Sequence, residues 1–266
     1  VVGASGRALT SPDGVTWTVR STGFSGDLNG IAFRGEQFVA AGAGGVILTS
    51  GDGVNWARQN SGVTGVLNTV GFVGATCVVG GEGGLVLHSP NLTGWTRGTL
   101  GGGVSPTILF AGGSGGDGIL LGRAGEIFTS TDPATWKRLS QGTVDHRTAV
   151  IQGGGRFVAV GWATDTRTEI TTTPVMFSTN GVTWTRAAAN PALAVPDLVL
   201  NALAFARGTY VTVSDEGGIF TSTDANTWTT RTSPVRTSLN GVCAGPDGFV
   251  AVGSSGRILS SATGET

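Results

Sequence analysis

The chain has 266 residues, of which 39% are hydrophobic and 12% are charged, and its formal net charge is −1. This length is sufficient for a buried core, and the balanced charge argues against a nucleic-acid-binding surface, which requires an excess of basic residues. No run of about 18 apolar residues occurs, so the sequence predicts no helix inserted in a membrane.

A heptad that begins with serine and ends with tryptophan recurs along the whole chain. The complete copies are Ser11–Trp17, Ser50–Trp56, Ser89–Trp95, Ser130–Trp136, Ser178–Trp184 and Ser222–Trp228, and a seventh copy begins at Ser261. The tryptophans of successive heptads are 39 to 48 residues apart. Repeats of this length indicate a solenoid or a propeller, in which each copy forms one structural unit.

Each copy contains four short segments rich in β-forming residues, separated by glycine-rich or Asp-Gly turns. In the copy around Trp56 these segments are residues 28–33, 38–42, 46–50 and 56–58. No segment has apolar residues at helical spacing. Four strands per copy predict an all-β chain, and we expect a β-propeller of four-stranded antiparallel blades because a closed ring removes exposed strand edges.

The number of blades depends on how the two ends of the chain are counted. The repeat predicts seven second and seven third strands, but only six first and six fourth strands. We therefore favour a single propeller domain over residues 1–266 with seven blades and two absent strands, as expected of a fragment of a longer chain. In the alternative there are six blades. A first strand at Leu239 then completes the blade formed by residues 1–20, and residues 249–266 are surplus.

The heptad resembles the Asp-box, or BNR repeat, of the sialidase-like propeller superfamily, although one residue is missing between its Asp and Gly. Two copies carry Asn91 and Asn180 in place of Asp, and Gly is replaced by Leu92, Pro133 and Ala225 in three copies. The resemblance implies the fold and not one activity, because such repeats occur in sialidases, xyloglucanases, sorting receptors and a photosystem II assembly factor.

The repeated residues are predicted to be scaffold. The Asp or Asn side chain can accept backbone N–H groups within its turn, as in an Asx-turn. The tryptophan is expected to pack its ring between neighbouring blades. An arginine also recurs shortly after the tryptophan, at Arg20, Arg58, Arg97, Arg138, Arg186 and Arg231.

The catalytic residues that the sialidase resemblance implies do not carry over. That family uses three arginines, a Tyr–Glu pair and an Asp, whereas the one tyrosine here, Tyr210, falls at a core position of the repeat. Only Arg147 stands on a predicted first strand. With two histidines and two cysteines, Cys77 and Cys243, no metal cluster is predicted, and we expect both thiols to be free and buried. We predict no catalytic residue, no metal and no cofactor.

Departures from the repeat predict where a ligand binds. Two insertions, at residues 162–172 and 186–199, should project from the same face of adjacent blades, and loops on a rigid scaffold commonly carry function. The alternative is a solvated loop whose tryptophan covers the core. The predicted ligand-binding residues are Trp162, Asp165, Arg167, Glu169, Asp145, His146, Arg147, Asp215 and Glu216.

A second candidate is an asparagine near the start of the first strand of several copies. These residues are Asn29, Asn68, Asn201 and Asn240, with Pro106 and Thr148 in two other copies. They are predicted to surround the mouth of the channel, where they would hold water or a polar ligand or serve a structural role.

Three functions are consistent with these patterns. The favoured one is a non-catalytic, secreted or periplasmic propeller that binds a glycan or a protein partner, with no nucleic acid and no membrane insertion. The second is an Asp-box glycoside hydrolase or lyase; a hydrolase would need two carboxylates among Asp145, Asp165, Glu169, Asp215 and Glu216. The third is an assembly factor that docks a protein through the recurrent arginines.

Overall fold

The computed structural model describes residues 1–114, 117–139, 146–164, 171–188, 190–195, 197–245 and 247–265. For Ser114, His146, Arg147, Thr164 and Thr171 it describes the backbone alone. The chain divides into two compact units, Val1–Pro12 with Thr16–Gly142 and Asp13–Val15 with Thr143–Thr266. Within the described ranges, no helix is both long and apolar enough to span a bilayer.

The first unit consists of sheets built from consecutive strands. The strands are β1 (Arg7–Thr10), β2 (Thr18–Ser21), β3 (Leu28–Arg34), β4 (Gln37–Gly42), β5 (Ile47–Ser50), β6 (Ala57–Gln59), β7 (Leu67–Val73), β8 (Thr76–Gly81), β9 (Val86–Ser89), β10 (Thr96–Arg97), β11 (Thr99–Leu100), β12 (Ile108–Ser114), β13 (Asp117–Gly122), β14 (Ile127–Asp132) and β15 (Thr135–Arg138). The sheets are β1–β2, β3–β6, β7–β10 and β12–β15, and β11 joins the last of them in parallel with β15.

The second unit repeats the same arrangement. Its strands are β16 (His146–Gly153), β17 (Arg156–Thr164), β18 (Thr171–Thr172), β19 (Met176–Ser178), β20 (Thr185–Arg186), β21 (Leu200–Ala206), β22 (Thr209–Ser214), β23 (Ile219–Ser222), β24 (Thr229–Arg231), β25 (Leu239–Gly245), β26 (Gly248–Gly253) and β27 (Ile258–Ser261). The sheets are β16–β20, β21–β24 and β25–β27.

Local chemistry determines how the strands of one sheet are joined. In three sheets the first hairpin is closed by two residues of positive φ, as at Gly35 (56°) and Glu36 (68°), a geometry that matches the twist of antiparallel strands. Short 3₁₀ turns lie at Ala4–Gly6, Ala43–Gly45, Glu82–Gly84, Pro191–Leu193, Asp215–Gly217 and Ser254–Gly256. In one of these turns Gly45 is needed, because its φ is 70° and an added Cβ would lie 2.0 Å from the carbonyl oxygen of Val63.

The core lies between neighbouring sheets of each unit. In the first unit, Val39 and Ile47 of one sheet pack against Leu67 and Val79 of the next. In the second unit, Val158 and Val160 pack against residues of the sheet β21–β24. Each sheet therefore contributes apolar side chains to the contact with its neighbour, which explains why inner strands such as β5 and β22 are buried on both faces.

The prediction of antiparallel four-stranded units is confirmed for three of the described sheets, β3–β6, β7–β10 and β21–β24. The favoured count of seven blades is wrong. Six of the described sheets have three or more strands, which is the number of blades in the alternative. Residues 1–21 supply only β1, β2 and an isolated bridge between Val2 and Ala8, too few paired strands for a blade. The alternative is wrong in one detail. It joined the strand at Leu239 to the blade of residues 1–20, whereas Leu239 pairs with Gly253 of β26.

The expected burial of the two thiols is confirmed for Cys77 and wrong for Cys243. Cys77 is fully buried in the core between two sheets, and burial raises the pKa of its thiol to about 12. Cys243 is exposed. Its neighbour Val242 packs against the preceding sheet, so strand alternation turns Cys243 to the opposite face.

Candidate functional site

The serine-to-tryptophan heptads form hydrogen-bonded turns. In the copy that starts at Ser50, Asp52 Oδ1 accepts the backbone N–H groups of Val54 and Asn55, both at 2.8 Å. The Ser50 hydroxyl donates to the same carboxylate at 3.0 Å and accepts the N–H of Gly53 at 2.9 Å. The scaffold role predicted for the Asp side chain is therefore confirmed in this turn.

Asparagine makes the same turn without a charge. Asn180 Oδ1 accepts the N–H groups of Val182 and Thr183, both at 2.9 Å. Where the residue is aspartate, hydrogen bonds from the backbone hold the pKa of Asp52 far below its usual range. Backbone hydrogen bonds, first of all from Thr227, also lower the pKa of Asp224. These carboxylates serve the fold in their ionised form.

This difference predicts a pH effect. Because both pKa values are lowered on folding, Asp52 and Asp224 stabilise the protein above 3.8, the ordinary pKa of an aspartate, and this contribution is lost as the pH falls below that value. We expect the double variant Asp52→Asn/Asp224→Asn to fold and to lose less stability between pH 5 and 3 than the wild type, as urea unfolding would show. The control variant is Glu36→Gln, which removes an exposed carboxylate in a hairpin turn. A double variant as acid-sensitive as the wild type would contradict this prediction.

The asparagines near the start of the first strands sit at β-bulges. Asn29 lies at the register shift between Leu28 and Gly30, and its amide donates to the Leu67 carbonyl of the next sheet at 2.9 Å. Asn201 donates to the Leu239 carbonyl in the same way, also at 2.9 Å. These two amides link the first strands of neighbouring sheets, which supports the structural role weighed for them.

The other copies vary at this bulge. Thr148 donates its hydroxyl to the Leu200 carbonyl, and Asn240 donates to the Ser254 hydroxyl at 3.5 Å. The Asn68 amide nitrogen is buried and has no hydrogen-bond partner in the described structure. In the sheet β12–β15 the shift lies between Ile108 and Phe110, so Leu109 occupies the position that the repeat spacing predicts for Pro106. Only strand pairing reveals this register.

The first insertion extends one hairpin beyond its sheet. Strand β17 has nine residues, whereas β22 and β26 have six. Its last residues pair with β18, Ala163 with Thr172 and Thr164 with Thr171, to form a two-stranded ribbon. Trp162 stands at the base of this ribbon, half-buried, with its backbone opposite His146. An aromatic side chain is thus placed where the regular sheet ends and the ribbon begins.

The acidic residues Asp215 and Glu216 lie at the edge of the adjacent sheet that is equivalent to the ribbon edge. The pairing of Gly161 with Arg147 is equivalent to the pairing of Ser214 with Leu200 in the next sheet. Trp162 and Asp215, which follow Gly161 and Ser214, therefore occupy equivalent positions. Asp215 Oδ1 accepts the backbone N–H of Val199 at 3.0 Å. Glu216 has a φ of 57° and lies in a 3₁₀ turn, exposed to solvent. The carboxylate of Asp215 is therefore engaged by the scaffold, whereas that of Glu216 faces water.

The structure describes the predicted site in part. It brings Trp162, Asp215 and Glu216 to equivalent edges of adjacent sheets and places the backbones of His146 and Arg147 at the same end of their sheet. Asp145, Asp165, Arg167 and Glu169 lie outside the described residues. Within the described ranges no group of three His, Cys, Asp or Glu side chains could hold a metal ion.

Tyr210 occupies a core position, as predicted. It is 1% exposed, its hydroxyl donates to the Gly153 carbonyl at 2.6 Å, and burial raises its pKa. A phenol that is buried and already bonded to the backbone is not available as a nucleophile.

A cavity of about 240 Å³ is not predicted by the sequence pattern. It lies between the sheet β21–β24 and the strands β26 and β27, and its lining is mostly apolar.

Comparison with known proteins identifies the fold. No protein-family model and no curated protein sequence matches the chain. The structure of YCF48 bound to D1 peptide is similar, with 16% identity over 97% of this chain and 85% of that chain and a TM-score of 0.72. YCF48 from Cyanidioschyzon merolae has 15% identity over 87% and 80% of the two chains and a TM-score of 0.65.

An enzyme structure is also similar. The GH74 enzyme of Niastella koreensis has 17% identity and a TM-score of 0.59, and the match covers 97% of this chain but 41% of the enzyme. At these identities the likeness shows the fold alone. The chain has the all-β propeller fold with mainly antiparallel blades, as the Asp-box resemblance implied.

Proposed function

We propose that this chain is a non-catalytic propeller that binds an extended segment of a protein partner. The proposed site is the sheet edge that carries the β17–β18 ribbon and, on the adjacent sheet, the turn Asp215–Gly217. The observation that carries the proposal is the ribbon, because it extends one hairpin beyond its length in the other sheets. A scaffold of repeated sheets with one elaborated edge is typical of a binding module.

The chemistry of this edge suits a peptide. Trp162 offers a half-buried indole, and aromatic side chains dominate the binding energy of many protein interfaces. Glu216 adds an exposed carboxylate, and the backbones of His146 and Arg147 lie in the neighbouring strand β16. The similar protein YCF48, which has been solved with a D1 peptide, supports a protein ligand over other classes.

The recurrent arginines are less suitable as the docking surface of an assembly factor. Arg20 Nε donates to the Thr10 hydroxyl at 3.1 Å, and Arg231 Nε donates to the Thr221 hydroxyl at 2.7 Å. Both side chains thus brace the outer strand of their own sheet. An assembly role would be one form of the proposed protein binding, with the ribbon edge as its contact surface.

The test is a screen of immobilised peptides and glycans with the purified chain, followed by titration of the hits. We expect saturable peptide binding that Trp162→Ala weakens by about tenfold or more. Phe33→Ala is the matched control, since Phe33 is 58% exposed on another sheet. Hits confined to glycans would replace the peptide by a carbohydrate. Binding that Trp162→Ala leaves unchanged would remove the site.

The predicted secreted or periplasmic location belongs to this proposal as well. Fractionation of cells that express the natural full-length protein, with detection of a tag, tests it directly. Recovery of the tag from the cytoplasm alone would contradict that location without affecting the proposed peptide site.

A further inference from the structure

The two insertions of the second unit are in contact with each other. The first forms the β17–β18 ribbon, in which Thr172 pairs with Ala163, the residue after Trp162. The next residue, Thr173, donates its hydroxyl to the Leu193 carbonyl of the second insertion at 2.9 Å. Strand pairing and this hydrogen bond therefore connect the ribbon with the second insertion.

The second insertion also reaches the turn Asp215–Gly217 on the adjacent sheet. The backbone N–H of Val199 donates to Asp215 Oδ1 at 3.0 Å, and the backbone N–H of Asp215 donates to the Val199 carbonyl at 3.2 Å. The insertion thus contacts the ribbon near its middle and the acidic turn at its end. The ribbon edge consequently has a third part, the described residues 190–195 and 197–199, which joins the ribbon to the carboxylate of Glu216.

Packing holds this third part in place. Leu193 and Leu198 are 6% and 8% exposed and belong to the same core cluster as Val175 of the sheet β16–β20. Asn190 Oδ1 accepts the backbone N–H of Ala192 at 2.9 Å and so caps the short 3₁₀ turn. A segment that is fixed in this way loses little further conformational freedom when a ligand binds.

The same segment presents one apolar and one acidic side chain to solvent. Val195 is 49% exposed, although it lies between two buried leucines. Asp197 is exposed as well, with a φ of 57°. Neither Asp197 nor Glu216 makes an ion pair with a residue that the structure describes. Exposed charges on a docking surface favour a partner of the opposite sign.

From these contacts we propose that the ribbon edge binds a basic extended segment that carries large apolar residues. This inference rests on the proposed peptide site and specifies the chemistry of its ligand. The apolar residues of the segment pack on Trp162 and Val195. Its arginines or lysines lie against the carboxylates of Asp197 and Glu216, and arginine can bind such a carboxylate through two parallel hydrogen bonds.

The probes are two labelled peptides of equal length and opposite charge, Gly-Arg-Leu-Arg-Val-Arg-Gly and Gly-Glu-Leu-Glu-Val-Glu-Gly. Fluorescence anisotropy with the whole chain should show saturable binding of the arginine peptide and binding of the glutamate peptide that is weaker by about tenfold or more. Added salt should weaken binding of the arginine peptide, because ions screen exposed charges. Equal binding of the two peptides, or tighter binding of the glutamate peptide, overturns the proposal.

Two variants locate the arginine peptide on the second insertion and the acidic turn. Val195→Ser and Glu216→Gln should each weaken its binding by about threefold or more, since each removes one contact. Val182→Ser is the matched apolar control, because Val182 is 51% exposed on a turn of the sheet β16–β20. Glu82→Gln is the matched charge control, because Glu82 is exposed in the equivalent 3₁₀ turn of the sheet β7–β10. Both controls should bind as the wild type does.

The outcomes keep this inference apart from the proposed peptide site. If Trp162→Ala weakens arginine-peptide binding and Val195→Ser and Glu216→Gln do not, the ribbon site stands and the role of the second insertion is overturned. If screened peptides bind in a Trp162-dependent way and the arginine peptide does not bind, the basic ligand alone is overturned. If no peptide binds, both proposals fail.

Discussion

Replacing Trp136 by alanine is expected to lower the free energy of unfolding by about 3–5 kcal/mol, the range for truncating a buried aromatic residue. The indole is 2% exposed and belongs to a core cluster with Val73 and Val78 of the preceding sheet and with Leu120 of its own. Its N–H donates to the Pro133 carbonyl at 2.9 Å. The variant thus opens a cavity between two sheets and leaves a carbonyl without its donor. Urea unfolding monitored by circular dichroism measures the loss.

Trp184→Ala is the matched comparison. Trp184 occupies the same place in its heptad and donates to the Gly181 carbonyl at 3.0 Å, but it is only half-buried. Less apolar surface returns to water, so we expect a loss of about 1–2 kcal/mol. Equal losses in the two variants would show that the shared turn, and not burial between sheets, determines what the tryptophan contributes.

Gly71→Ala is expected to destabilise the first unit by about 3 kcal/mol or more, because the added methyl group has no space. A Cβ at this position would lie 1.7 Å from the carbonyl oxygen of Ala111 and 2.6 Å from its carbon. Both are backbone atoms of β12 in the next sheet, so β7 and β12 would have to move apart. Their contact would then lose the close packing that holds the two sheets together.

Gly245→Ala is the control for the loss of a strand glycine. Gly245 lies in β25 and has no positive φ, and a Cβ added there would have no atom within 4 Å, so alanine should change stability by less than about 0.5 kcal/mol. The two variants are compared by urea midpoint and by soluble yield. A Gly71→Ala protein as stable as Gly245→Ala would mean that the approach of β7 to β12 is not close in solution.

The candidate site was predictable where it depends on a break in the repeat. Trp162 and the insertion after it stand out against the regular second strands, and pairing extends there as a ribbon. The sequence places Asp215 and Glu216 in the predicted binding site, and that assignment stays a prediction, whereas the hydrogen bond from Val199 to Asp215 was not predicted at all. That bond joins residues on two different segments of the sheet, and spacing along the chain carries no information about it.

The asparagines and Cys243 show a different limit. The repeat placed asparagines at equivalent positions and left a polar ligand or a structural role open for them; the carbonyl partners of Asn29 and Asn201 in the next sheet follow from the bulge register. Cys243 is exposed because alternation turns it away from the packed face. A register shift of one residue reverses the direction of every following side chain, and the sequence alone does not report such shifts.

The amino-acid sequence by itself determined the strands, the serine-to-tryptophan turns and the all-β fold. These features arise from hydrogen bonds between residues two or three positions apart, such as those of Asp52 with Val54 and Asn55, and from alternating apolar residues. Only the tertiary structure decided the number of complete sheets, the burial of each tryptophan and the cavity beside β27. Those depend on contacts between sheets, where residues about forty positions apart meet and local pattern has no influence.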